Sequence, residues 1–284
     1  MRLETASLLP AGAPQTTRLN DVFGNILRNR QCGDNGDLQK ESVVPTSFNI
    51  AQWHAWAPGI TDVDSWRAWA RAPYVPSDLG AQPDVGFIPA MQRRRLTRLA
   101  RMTFAAAWPL AEGRRHIPMV FGSRHGETPL SFELLRTLAQ HQPLSPTQFG
   151  LSVHNAVAGQ WSIQRGDTAQ TCAVAGDADT LEHTVIEACG LLHDGADEVI
   201  AVLAEDTPAA PYRDRIHDIP FPHAIALRLT PGEDWTLSST PAPHDAIASP
   251  PTFGHALLLL HALLADVGVW QHTCPPRSWA WQRR

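Results

Sequence analysis

From residue 48 onward, apolar positions recur at spacings that switch between a period of two and a period between three and four. "FNIAQWHAWAPGI" predicts a short aromatic strand running into a Pro-Gly turn, and "DSWRAWARA" predicts a brief helix with Trp66 and Trp69 on one side. In "MQRRRLTRLARMTFAAAWPLA", Leu96, Leu99, Met102, Thr103 and Ala106 fall at three- and four-residue steps, predicting one long helix. A strand follows at "HIPMVFGSR", then a helix at "PLSFELLRTLAQ" ended by Pro143. "SPTQFGLSVHNAVAGQWSIQRG" opens with a Ser-Pro helix start and stops at Gly166. "TAQTCAVA" and "DEVIAVLAE" predict strands on either side of a helix at "DTLEHTVIEACGLLHDG". "FPHAIALRLTP" and "DWTLSST" give two further strands, "TFGHALLLLHALLADVG" a final helix, and "RSWAWQRR" an exposed Trp/Arg-rich tail.

Strands separated by helices imply right-handed crossovers and a mostly parallel sheet with helices on both faces. The last two strands, adjacent in sequence, imply an antiparallel edge. The fold class is therefore α/β. Residues 1–47 lack periodicity and are rich in Gly, Asn, Gln, Thr and Pro. They read as a disordered extension of a domain covering 48–284. Hydrophobic residues at 43% with 18% charged residues place the chain among globular proteins. A net charge of −5 argues against nucleic-acid binding. Cys32, Cys172, Cys189 and Cys274 stand far apart without a C-x-x-C pair, which suits a reducing compartment. No stretch reaches the ~20 apolar residues of a membrane span. Together these make a cytoplasmic protein the expectation. No Gly-rich phosphate loop or zinc-ligand spacing is recognisable, so neither cofactor nor metal is expected.

"TCAVAGDADT" (171–180) has the layout of a strand, a tight turn and a helix start. Many α/β enzymes mount a nucleophile at such a corner. Here it offers Gly176, Asp177 and Ala178. The segment from Asn155 to Glu205 resembles the centre of β-ketoacyl synthases of the thiolase superfamily. Those enzymes have an Asn-x-x-Ala-Gly helix start, a Gly-bounded loop, a strand ending at the catalytic Cys, a helix, and Gly-x-Ala-Asp before the next strand, and this segment resembles them in order and spacing. With the Arg-rich helix and "WAPGI", it is most similar to the short chain length factors of aryl polyene and xanthomonadin pigment pathways. The resemblance extends from Phe48 to Pro231.

That resemblance implies a thiolase-like half-domain. Aligned without gaps from Asn155, the family's nucleophilic Cys falls on Ala178, and the second half with its two catalytic histidines has no counterpart. No catalytic residue is therefore expected. The family also pairs the strand before the corner with its equivalent in a second subunit, and an acyl tunnel runs along that junction. The resemblance thus implies a heterodimer with a full-length synthase. His125, Glu127, His154, Asn155, Thr171, Ala173 and Ala178 are its interface or tunnel candidates.

Other signals leave alternatives open. "SRHGET" contains the Arg-His-Gly-Glu of histidine phosphatases, making His125 the nucleophile of an independent enzyme. Cys172 is the candidate for an acyltransferase, although a position inside a strand suits a packed thiol better. Arg93, Arg94 and Arg98 could grip an acidic acyl carrier protein, or form the solvated face of their helix. Trp53, Trp56, Trp66 and Trp69, with Trp270, Trp279 and Trp281, could form one aromatic flank. The tail also leaves a peripheral membrane contact open. A scaffold that never touches the acyl chain is the third reading.

Overall fold

The computed structural model describes residues 45–243 and 253–284. The expected extension at 1–47 falls almost wholly outside them. Strand β1 (Thr46–Trp56) begins two residues before the expected boundary. Seven strands form one sheet in the order β3-β2-β4-β5-β7-β6, with β1 also paired to β5. Its parallel core is β3 (Thr171–Val174), β2 (Met119–Gly122) and β4 (Val199–Glu205). The antiparallel side carries β1, β5 (His223–Pro241), β6 (Val269–Cys274) and β7 (Arg277–Arg283).

β4 shows how the sheet acquires two cores. Val199, Ala201 and Leu203 face one apolar cluster, while Ile200, Val202 and Ala204 face the other. Alternate side chains of a strand point to opposite faces, so a continuous apolar run is buried on both. Against the first face pack α1 (Val63–Arg71), α7 (Thr180–His193) and α8 (His255–Leu264). α3 (Arg98–Ala111) and α6 (Ala156–Arg165) cover the second. The remaining helices are the short α2 (Ala90–Arg93), α4 (Thr128–Ala139) and α5 (Pro146–Leu151).

Four segments differ from the sequence reading, each for a local reason. The Arg-rich helix is two helices, because Thr97 turns extended and its hydroxyl accepts from Ala100 N at 3.1 Å, capping α3. The helix expected from Ser145 to Gly166 breaks at 152–155; Ser145 caps α5, and left-handed Gly166 ends α6. The two late strands are one 19-residue strand, β5, whose first part pairs with β4 and whose end pairs with β7. Finally, the Trp/Arg tail is β7. Trp279 and Trp281 are buried, and Trp281 stacks on Trp270 at 5.0 Å between ring centroids. The tail is a core strand and offers no aromatic surface to a membrane. No helix among the described residues is long and apolar enough to cross one.

Nor do the tryptophans form a single flank. Trp56 belongs to the second core, while Trp66, Trp69, Trp270, Trp279 and Trp281 lie in the first.

Candidate functional site

β2, β3 and β4 run parallel, so their carboxyl ends open at one edge, where ligand sites of α/β sheets form. The loop after β2, Ser123–Glu127, lies there beneath the corner that follows β3. Gly122, the last residue of β2, has no room for a side chain, since a Cβ would stand 2.2 Å from Thr184 Oγ1 on α7. Gly126 has φ +50, and its missing Cβ leaves room for the His154 ring. His154 Nε2–H donates to the Ser123 carbonyl at 2.8 Å, tying the approach to α6 to this loop.

At the end of β4, Glu205 accepts from Arg124 N, from His125 N at 3.3 Å and from Ser123 Oγ at 3.2 Å. Burial pushes its carboxyl up to about 7 despite these bonds. Arg124 bridges Asp218 at 2.7 Å and Asp177 at 2.5 Å. Burial alone would raise Asp218, but its interactions with His125 and the Arg124 guanidinium outweigh it and hold the carboxyl well below the usual range. His223 is driven down to about 4 by burial, with Nδ1–H donating to the Phe221 carbonyl at 2.9 Å. These groups and Ala178 line a cavity of about 40 Å³ together with Glu205 and His255.

The corner itself is strained. Asp177 has φ 56, a left-handed conformation that Asp tolerates better than most residues, and it starts a single 3₁₀ turn through Asp179. Ala178, the position reached by counting without gaps from Asn155, lines the cavity, and the left-handed residue is its neighbour Asp177. Neither carries a thiol or a hydroxyl.

The geometry also opposes the two rival chemistries. His125 Nε2 lies 3.9 Å from Asp218 Oδ1, while Arg124 is held by two carboxylates. Acidic neighbours repel a phosphoryl group, and an arginine already paired twice cannot neutralise it. The Cys172 thiol is pushed up to about 11 by burial and by Glu187, 3.6 Å away, so the nucleophilic thiolate is suppressed.

The remaining candidates separate. Glu127 turns inward: Thr97 Oγ1 donates to its Oε1 at 2.5 Å, and burial pushes its carboxyl up to about 7. Arg98 also works within the chain, binding Asp206 at 3.1 Å and the carbonyls of Leu79 and Ala81. It is not free to dock a carrier protein; Arg94 is exposed and Arg93 half-buried. Asn155 is exposed at the start of α6 and makes no side-chain cap.

Thr171 and Ala173 lie on the sheet's outer strand. Met119 N bonds to Gln170 O and Ser123 N to Val174 O, so the even-numbered residues of β3 address β2. Backbone groups of Thr171 and Ala173 therefore point outward, where β3 has no partner among the described residues. α6 and α7 pack on β3, and α5 packs on α4 and α6. These four helices and the loop before α6 expose Leu135, Leu138, Phe149, Val153, Ile163 and Ile186. Sequence reasoning found the edge but missed the apolar surround, as well as Glu205, Asp218 and His223. Glu205, closing an apolar run at a strand's carboxyl end, was the one available signal.

A measurable consequence follows for Glu127. Its folded carboxyl titrates near 7 and the unfolded one near 4.5. The folded state thus holds more protons between these values, and stability falls as pH rises through the window. Glu127→Gln is expected to stabilise the chain at pH 8, on the order of 2 kcal/mol, and to change little at pH 4.5. Urea midpoints at the two pH values measure this. An equal effect at both would show that burial does not hold the proton.

Taken together, the sheet order, the helices on both faces and the strand–turn–helix corner define a thiolase-like α/β unit. The chain belongs to the β-ketoacyl synthase N-terminal domain family, whose model matches residues 66–282. It is similar to a chain of the ketosynthase (ApeO) in complex with its chain length factor (ApeC) from Xenorhabdus doucetiae. That similarity is 26% identity over 84% of this chain and 99% of the other, with a TM-score of 0.75. Similarity in fold alone extends to the ishigamide ketosynthase/chain length factor, at 14% identity. It covers 84% of this chain and 99% of the other, with a TM-score of 0.58. A search of curated proteins returns no match.

Proposed function

We propose that this chain is a non-catalytic, chain-length-factor-type subunit that pairs through β3 with a full-length β-ketoacyl synthase and bounds its acyl tunnel. One observation carries the reading: an outer strand with outward-facing backbone groups, on the same side of the fold as helices α4 to α6 that expose apolar side chains, and next to a corner without a thiol or hydroxyl. An unpaired strand edge within an apolar surround invites a second subunit. The similarity to a chain from a ketosynthase–chain length factor complex supports the same reading. The synthase supplies the condensing chemistry, and the product is a polyunsaturated chain of the aryl polyene pigment type. An acyl carrier protein docks on the complex, with Arg93 and Arg94 the basic residues available here.

Chain length is then set by steric exclusion. A growing acyl chain gains ~0.8 kcal/mol per buried methylene until it meets a wall. Ala175, exposed just beyond β3, and the segment His154–Ser162, which leads into α6, are the proposed wall. Ala175→Phe is expected to shift the product distribution toward shorter chains without reducing the yield of complex, as read by mass spectrometry of the released acids. Unchanged chain lengths in an intact complex would favour a pure scaffold.

A further inference from the structure

Away from the β3 edge, three residues remote in sequence meet inside the fold. Glu182 comes from α7, His255 opens α8, and His272 lies on β6. Glu182 is fully buried, and the two imidazoles are at least nine-tenths buried. Glu182 Oε2 lies 3.0 Å from His255 Nδ1, and Oε1 lies 3.0 Å from His272 Nε2. The two imidazole centroids are 3.9 Å apart. One donor atom from each residue fits within 4.8 Å of the others.

His255 Nδ1 and Glu182 make an ordinary hydrogen bond. His272 does not: neither of its ring nitrogens has a hydrogen-bond partner, although Nε2 sits 3.0 Å from a carboxylate oxygen. A buried imidazole whose one polar neighbour is too poorly aligned for a hydrogen bond is costly. Protonating both rings at this separation would add repulsion between like charges. A divalent cation removes both difficulties, since it accepts the lone pairs of two neutral imidazoles and the charge of one carboxylate.

We infer that Glu182, His255 and His272 form a binding site for a borderline divalent cation, Zn²⁺ above all. Two imidazole nitrogens and one carboxylate oxygen are its habitual donors. Bonds of ~2.1 Å place tetrahedral ligands about 3.4 Å apart, so each 3.0 Å imidazole–carboxylate separation needs to open by a few tenths of an ångström. Trp281 Nε1–H donates to Glu182 Oε1 at 3.3 Å and orients the carboxylate, as the outer partners of metal ligands do. No fourth Cys, His, Asp or Glu donor joins the group among the described residues. Water can complete the coordination from the cavity of about 40 Å³ that His255 also lines. The bound ion clamps the β6–β7 hairpin to α7 and α8.

The test uses the full chain, stripped with chelator and titrated calorimetrically with Zn²⁺. Expected are one equivalent per chain and a higher thermal midpoint. Co²⁺ in the unmodified chain should give the intense visible bands of a four-coordinate site, a readout that needs no variant. His272→Gln should weaken Zn²⁺ affinity at least tenfold, while His193→Gln, on an exposed helix end, should leave it unchanged. Absence of stoichiometric uptake, six-coordinate Co²⁺ bands, or equal affinity in the His272 variant would each overturn the proposal and leave a charge network in its place. None of these readouts depends on the synthase, so failure here leaves the proposed function standing.

Discussion

Aspartate placed at both Leu138 and Phe149 is expected to leave the chain folded but to abolish its co-purification with a synthase partner. These side chains are 55% and 61% exposed in the chain alone, on α4 and α5, which connect to β3 through α6. Neither contributes to the two cores, so folding stability should hold. In a complex they would lie against apolar surface, and each introduced carboxylate would lose its water there. Central apolar contacts of an interface typically contribute about 2 kcal/mol or more. Two such losses correspond to at least about a hundredfold weaker association. Val269→Asp, at the opposite edge of the sheet on β6, is the control and should retain the complex. Pull-down of a tagged synthase measures the outcome, and undiminished recovery of the double variant would move the interface away from β3.

Trp281→Ala should give the largest loss of stability, about 3–5 kcal/mol for a fully buried tryptophan reduced to a methyl. Trp281 has no exposed surface, meets Phe48 edge-on at 6.2 Å and stacks on Trp270. Its indole N–H is also a partner of buried Glu182. Trp281→Phe keeps most of the ring volume and drops the donor, so about 1–2 kcal/mol is expected. The difference between the two variants separates packing from hydrogen bonding. An alanine variant as stable as the original would mean that β7 is not part of the core.

The tail illustrates what the sequence could not convey. In "RSWAWQRR" Trp279 and Trp281 alternate with other residues, which is a strand pattern, but terminal position and flanking arginines suggested exposure. What buries them is β5, whose distant residues Leu237 and Ser239 pair with Trp281 and Trp279. Local pattern did suffice for β2, β3, β4 and α7, where apolar runs and a tight turn carry their own boundaries. It failed at Thr97, where a capping threonine inside an otherwise helical stretch divides one helix into two. The corner was legible because it is contiguous. Glu182, His255 and His272 were not, since they approach one another only after the hairpin folds back across α7. Asp218 was hidden for the same reason, as it meets the β2 loop from another part of the chain.

If another subunit completes the free side of β3, amide hydrogen exchange reads it residue by residue. In the chain alone, the amides of Thr171 and Ala173 should exchange at least tenfold faster than that of Cys172, which addresses β2. On addition of the synthase partner, Thr171 and Ala173 should become protected while Cys172 changes little. A complex that forms and leaves those two amides exchanging at their free rate would contradict the account.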